Sequence, residues 1–159
     1  MVSIITENEL MTINMLSNLR GLGARLSKTV DQKVSDKNAS QIDFEGLLAE
    51  YAFCKINNLF YEISPEPRKW SFDCKTQSGS RVDIKATIHP NGQLIGKLER
   101  NMDIDIYVLA IINFMKNHAE VFFPGYAEGD YLYQAENIKQ LTLNGPMCYA
   151  LRQEDLRRW

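Results

Sequence analysis

The chain has few of the residues that build a disulfide scaffold or a zinc site. Its 159 residues include three cysteines, Cys54, Cys74 and Cys148, and two histidines, His89 and His118. The cysteines are odd in number and widely spaced, so they form neither a disulfide framework nor a zinc-binding pattern. Because both histidines are isolated, a Ser-His-Asp triad has little support. We therefore expect buried thiols and surface imidazoles.

Long apolar runs and a strong net charge are also missing. No stretch approaches the ~20 apolar residues of a membrane helix, so we expect no membrane association. The N-terminus lacks a basic segment followed by an apolar core, which favours a cytoplasmic location over secretion. The formal net charge of −2 argues against a general basic coat for nucleic acid. A chain that is 45% hydrophobic and 24% charged is ordinary for a globular domain.

Hydrophobic periodicity predicts two helices followed by a series of strands. We predict a helix over 8–26, with an apolar stripe formed by Leu10, Ile13, Met15, Leu16, Leu19 and Leu22. A polar, mobile loop follows at 27–40, and a second helix spans 42–59. Further predicted elements are strands at 60–63, 93–98, 104–114, 119–123 and 146–152, a hairpin at 70–88, a loop at 125–129, a helical turn at 134–140 and a C-terminal helix at 154–159. This order predicts an α/β fold with a mixed sheet, in which residues 1–41 precede a main domain at 42–159 within one compact unit.

The hairpin is the most informative part of the sequence. Its second arm, from Arg81 to Ile88, alternates polar and apolar side chains. Since a strand has a period of two, Asp83 and Lys85 share one face and Ile84 points to the other. Asp73 lies on the first arm. Two carboxylates and an ammonium group on one hairpin can hold a divalent metal ion and orient the water that the metal activates.

Basic residues outnumber acidic ones around this hairpin. Between positions 68 and 100 there are seven basic and three acidic residues, and two of the acids are those of the predicted metal site. A local positive surface around a metal suits a phosphodiester substrate. Lys75, Arg81 and Thr87 are the candidate phosphate contacts. The alternative interpretation is a solvated strand face, on which the two acids pair with Lys75 and Arg81.

A wider set of residues resembles the PD-(D/E)xK nuclease superfamily, which has the restriction-endonuclease-like fold. The helix sequence Gly-Leu-Leu-Ala-Glu-Tyr-Ala, with Glu50 at its fifth position, is similar to the Gly-x-x-Gly-Glu-x-Ala pattern of phage and bacterial members. Asp73 and then the triplet from Asp83 to Lys85 follow in the superfamily's order, and an apolar strand comes next. The resemblance covers about residues 42–126. It departs from the family pattern at Phe72, which stands in place of proline, and at Asp83, where glutamate is commoner.

The resemblance implies an α/β/α sandwich with a central mixed sheet, here with an N-terminal helical extension. It implies a nuclease that acts on nucleic acid, DNA rather than RNA, with Mg²⁺ as cofactor and Mn²⁺ as a substitute. The implied catalytic residues are Glu50, Asp73, Asp83 and Lys85, and the implied metal ligands are Asp73, Asp83, Glu50 and the backbone carbonyl of Ile84. Glu45, about 140° around the helix from Glu50, is the alternative helical acid. Asp103 and Asp105 receive no role.

Other interpretations stay open. The incomplete motif and a pI of about 5.7 are also typical of a nuclease-like module that binds nucleic acid or a protein partner without catalysis. A small regulatory protein with an accidental Asp-x-Lys pattern is the third reading. Tyr126, Tyr131 and Tyr133 either stack on bases or cap the core. A homodimer is open because cutting two strands commonly uses two active sites.

Overall fold

Three helices and nine strands form a mixed α/β architecture in the described part of the chain. The computed structural model describes residues 1–26, 39–64, 70–143 and 145–159, so most of the predicted loop at 27–40 lies outside the described residues. The helices are α1 (Glu7–Leu26), α2 (Ala39–Ile56) and α3 (Gly129–Leu132). The strands are β1 (Val2–Thr6), β2 (Cys74–Lys75), β3 (Arg81–Thr87), β4 (Leu94–Gly96), β5 (Ile106–Phe114), β6 (His118–Phe122), β7 (Tyr126–Glu128), β8 (Ile138–Gln140) and β9 (Met147–Leu151).

The main sheet is mixed and is centred on β5. Its order is β1-β6-β5-β3-β2, and β7 also pairs with β5. Strands β3 and β5 run parallel, with Asp83 opposite Tyr107, whereas the other pairs are antiparallel. Because β5 is bonded along both edges and covered on both faces, its nearly continuous apolar sequence is what a central strand requires. A second sheet, in the order β4-β9-β8, is antiparallel.

Each face of the main sheet has its own apolar core. Helices α1 and α2 cover one face, where Leu48, Phe53 and Ile84 are among the buried residues. The other face is covered by β4, β9 and the short α3, with Tyr107 and Leu132 in its core. In the described residues this second layer is therefore mostly strand, whereas a helical layer was predicted there. The link from β3 to β5 begins with a turn at 89–92, and it contributes only the three-residue strand β4.

Strand β1 was not predicted, and it joins the N-terminal segment to the main sheet by pairing with β6. Its outer edge is capped by side chains from the helices. The backbone N of Thr6 donates to Glu9 Oε2 at 2.8 Å, and Lys55 Nζ donates to the carbonyl of Ile4 at 2.8 Å. Tyr51 also donates to Glu9, at 2.6 Å. These contacts occupy edge groups that would otherwise pair with another chain.

The sequence-based predictions differ from the structure mainly at short elements. The loop predicted at 125–129 contains strand β7. The helical turn predicted at 134–140 is confirmed in its first half, as a 3₁₀ turn at Ala135–Asn137, and its second half is β8. The predicted C-terminal helix is a single 3₁₀ turn at Gln153–Asp155, followed by a bridge between Arg157 and Tyr126. The predicted strand at 60–63 is not formed. The turn at Gly79 is confirmed, with φ of +93°. None of the described helices has the length and apolar character needed to cross a bilayer.

Candidate active site

The candidate site is built where β2 and β3 separate. These strands pair only at Cys74 with Val82 and at Lys75 with Arg81. Two residues after Val82 along β3, a side chain replaces the backbone partner, since Asp73 Oδ2 accepts a hydrogen bond from the backbone N of Ile84 at 2.7 Å. The carboxylate of Asp73 is therefore held at the edge of β3.

Ile84 fixes the orientation of this part of β3. Its side chain is buried in the core beneath α1 and α2. In a strand, the N–H and C=O of one residue point to the same edge. Because the N–H of Ile84 points to Asp73, its carbonyl points to the same edge, where the resemblance implied a metal ligand.

Asp83 and Lys85 lie on the opposite face of β3 from Ile84 and form an ion pair. Lys85 Nζ is 2.8 Å from Asp83 Oδ2, and the two side chains are 37% and 19% exposed. Burial raises the pKa of Asp83, the positive charge of Lys85 opposes this rise, and the negative charge of Asp73 adds to it. The two predicted acids are thus close enough for the charge of Asp73 to disfavour the ionised form of Asp83.

Glu50 lies on α2, which covers the other face of the sheet. It lies one turn before Cys54, so the two side chains share a helix face. The pKa of Cys74 is raised first by a hydrogen bond with Cys54, then by burial, and further by the negative charges of Asp73 and Glu50. The charges of Glu50 and Asp73 thus both act on the Cys74 thiol. Glu45 is 5% exposed and accepts a hydrogen bond from Gln41 Nε2 at 3.1 Å.

The three candidate phosphate contacts all have partners within the chain. Arg81 binds Asp105 through two nitrogens, at 2.9 and 3.0 Å, and Asp103 at 3.2 Å. The hydrogen bonds from Arg81 lower the pKa of Asp105 to about 2. The ammonium of Lys75 lies 5.3 Å from the ring centroid of Phe72. Thr87 Oγ1 accepts a hydrogen bond from the backbone N of His89 at 3.1 Å.

Two cations that the sequence analysis did not single out lie on the Asp83 side of the sheet. The charge of Lys97 acts on the Asp83 carboxyl. Arg100 forms an ion pair with Asp130 at 2.7 Å, and its guanidinium lies 5.5 Å from the ring centroid of Tyr133. Both residues follow the short strand β4, and no motif marks them in the sequence, because only the packing of the second sheet brings them near β3.

The tyrosines proposed for base stacking take part in aromatic contacts within the chain. Tyr126 packs against Trp159, with ring centroids 4.9 Å apart, and Tyr133 packs against Tyr149 at 4.7 Å. Tyr131 is 39% exposed. The structure therefore places Tyr126 and Tyr133 as covers of the core.

The donor atoms at the site are of the kind that a hard cation prefers. In the portions of the chain that the structure describes, no group of three or more Asp, Glu, His or Cys side chains is arranged to hold a metal ion. Mg²⁺ usually takes one or two protein carboxylates and completes its coordination with water and substrate oxygens. Asp73 and Asp83 would supply two such carboxylates, with the Ile84 carbonyl as a third oxygen.

No protein-family model, no curated protein and no solved structure matches this chain. The resemblance to the nuclease superfamily therefore rests on the sequence of this chain alone.

Proposed function

We propose that this protein is a metal-dependent nuclease with a restriction-endonuclease-like fold, which hydrolyses phosphodiester bonds of nucleic acid, DNA by preference. The observation that supports this most is the 2.7 Å hydrogen bond from the Ile84 backbone N to Asp73. It holds the Asp73 carboxylate and the Ile84 carbonyl at one strand edge, next to the Asp83–Lys85 pair. The order of these residues along the chain is that of the superfamily motif.

The electrostatics of the pair of acids favours a bound cation. Asp83 is largely buried, and both burial and the charge of Asp73 disfavour its ionised form. A hard divalent cation held by Asp73, Asp83 and the Ile84 carbonyl would offset this repulsion, with Glu50 as a further acid on the α2 side. When bound, Mg²⁺ or Mn²⁺ would neutralise phosphate charge and lower the pKa of a coordinated water.

The other groups of the site have roles that follow from their positions. Lys85 keeps its ammonium 2.8 Å from Asp83, so it carries a fixed positive charge beside the place where a phosphate would lie. That charge can orient the attacking water or stabilise the negative charge that develops on the phosphate. Ile84 is anchored in the core, which limits the movement of its two neighbours and so keeps the constellation ordered.

A cleavage assay with two site variants tests the proposal. We expect the purified protein to cut labelled DNA with Mg²⁺ or Mn²⁺, and D83N or K85A to reduce the rate at least ~100-fold, as for loss of a group acting directly on the reacting atoms. K116A is the matched control, because Lys116 is exposed beyond the far end of β5. Single-stranded, duplex and branched DNA, together with RNA, define the substrate. Equal cleavage by wild type, D83N and K85A would contradict the proposal.

A second candidate function is supported by the ion pair itself. Lys85 already neutralises Asp83, and the described residues hold no three-ligand metal group. A nuclease-like module that binds nucleic acid or a protein without catalysis would need nothing more. Calorimetric titration with Mn²⁺, together with DNA binding measured in EDTA, separates the two functions. DNA binding that persists in EDTA, with no heat of Mn²⁺ binding, would favour the binding module.

A further inference from the structure

Helix α1 has two apolar faces, and only one of them is buried. On the inner face, Ile13 and Leu16 are 2% and 9% exposed and belong to the core. On the outer face, four large apolar side chains follow one another at intervals of four, four and three residues and are 51–66% exposed: Met11, Met15, Leu19 and Leu22. We call these four residues the outer stripe. The sequence predicted a single buried stripe that included three of them, so the structure corrects that prediction.

The exposed residues of α1 around the outer stripe are uncharged. The exposed residues of α1 from position 8 to position 22 are Asn8, Met11, Thr12, Asn14, Met15, Asn18, Leu19 and Leu22. None of them is charged, although 24% of the chain is Asp, Glu, Lys or Arg. Depletion of charge and enrichment in methionine distinguish the centre of a protein interface from ordinary surface. An apolar stripe on a helix also costs free energy while it stays in water.

The apolar surface continues beyond the helix. Arg20 donates hydrogen bonds to the carbonyl of Glu62 at 2.7 Å and to that of Ser64 at 3.0 Å. These bonds hold residues 62–64 beside the C-terminal half of α1. Ile63, between them, is 72% exposed. The patch therefore extends from the outer stripe to a neighbouring segment.

The chemistry of this patch restricts its partner. Nucleic acid requires cationic side chains, and a membrane-surface helix is typically rich in lysine and arginine on its polar face. No exposed residue of α1 between positions 8 and 22 is a lysine or an arginine, and the partly buried Arg20 donates to the carbonyls of Glu62 and Ser64. The side-chain amides of Asn8, Asn14 and Asn18 can both donate and accept hydrogen bonds. A neutral surface with such groups can meet its own copy across a twofold axis without placing like charges together.

We propose that the outer stripe is an interface between two copies of this chain, which pack α1 against α1 about a twofold axis. The axis passes near Met15 and Leu19, the middle of the stripe. The patch offers about ten residues a side, against roughly 20–30 in a standard interface, so we expect a reversible dimer with a Kd on the order of 10–100 μM. The proposal does not depend on nuclease activity, although a twofold dimer would supply two sites.

Analytical ultracentrifugation of the full chain tests the proposal directly. We expect the average mass to rise from 18.3 kDa towards twice that value as the concentration increases from about 5 to about 500 μM. M15E should hold the mass at that of the monomer, because it places two like charges near the axis. M102E is the matched control, since Met102 is 71% exposed in the turn before β5. It should dimerise like the wild type.

A charge-reversal mixture identifies the partner as a second copy. An equimolar mixture of M15E with M15K or with L19K should recover the rise in mass, while each variant alone stays monomeric. Wild-type protein that stays monomeric at the highest concentration would overturn the proposal. So would M102E weakening the dimer as much as M15E. A wild type that stays monomeric, together with a lower Tm for M15E than for the wild type, would show instead that the stripe is covered within its own chain.

Discussion

Substitution of Asp73 separates the structural role of this residue from its proposed role in metal binding. D73A removes the acceptor that Oδ2 offers to the backbone N of Ile84 at 2.7 Å, in a partly buried location. A buried N–H left without a partner costs about 1–3 kcal/mol. For a domain of this size about 1 kcal/mol lowers Tm by roughly 2–4 °C, so a loss of about 2 kcal/mol predicts a fall of roughly 4–8 °C.

D73N is the informative partner of that variant. Its amide oxygen can still accept the hydrogen bond from Ile84, so the loss of stability should be about 1 kcal/mol or less, the part that came from the charge. Its neutral side chain is a poorer ligand for Mg²⁺ or Mn²⁺. We therefore expect D73N to unfold in urea nearly as the wild type does, yet to give no heat of binding in a calorimetric Mn²⁺ titration.

The outcomes of this experiment address different claims. If D73A is as stable as the wild type, the hydrogen bond from the backbone N of Ile84 to Asp73 does not stabilise the point where β2 and β3 separate. D73N that binds Mn²⁺ with wild-type affinity would refute the assignment of Asp73 as a ligand while leaving the hydrogen bond intact. K75A is the control, because Lys75 is exposed on the same short strand and should change neither stability nor Mn²⁺ binding appreciably.

Two further predictions concern carboxylates whose pKa values move in opposite directions. The folded pKa of Asp83 is raised above 3.8, so ionisation of this group costs stability, and the cost appears as pH rises through that region. D83N should thus be at least as stable as the wild type in urea at pH 7, and any gain in stability over the wild type should disappear below pH 4. If D83N is less stable than the wild type at pH 7, the ion pair with Lys85 contributes more than burial costs. At Glu9, burial acts to raise the pKa, but hydrogen bonds from Lys55 and Tyr51 outweigh it and lower the pKa from 4.5 to about 2. The ionised Glu9 therefore stabilises the fold above pH 4.5, and this contribution is lost as pH falls towards 2. E9Q should cost about 1–2 kcal/mol at pH 7 after allowance for solvent screening, and little at pH 2; the exposed Glu7 provides the control E7Q, and equal costs for the two variants would contradict the edge-capping role.

The regular elements with strong periodicity could be predicted from the sequence. The alternation of β3, the apolar run of β5 and the two long helices are confirmed, because each pattern extends over enough residues to exclude other conformations. The three-residue strands β7 and β8 could not be predicted. They exist because β5 and β9 offer partners from distant parts of the chain, which local sequence does not report.

Side-chain partners were less predictable than backbone elements. Arg81 has the charge and the sequence position expected of a phosphate contact, but its guanidinium binds Asp105, 24 residues later. Glu9 and Tyr51, which are 42 residues apart, meet only because α1 and α2 pack together. In α1 the helical spacing is the same on both apolar faces, so sequence alone could not tell which face is buried. The position of Asp73 relative to Asp83 was accessible because a short hairpin fixes it.

The balance of charge at β3 bears on whether the constellation is functional. A structural ion pair needs one acid for Lys85, and Asp83 supplies it at 2.8 Å. The fold nevertheless brings Asp73 close enough to disfavour the ionised form of Asp83. Holding extra carboxylates together costs stability unless a cation offsets their repulsion. Costs of this kind are concentrated at functional sites, and this supports the metal-binding role that we propose for this edge of the sheet.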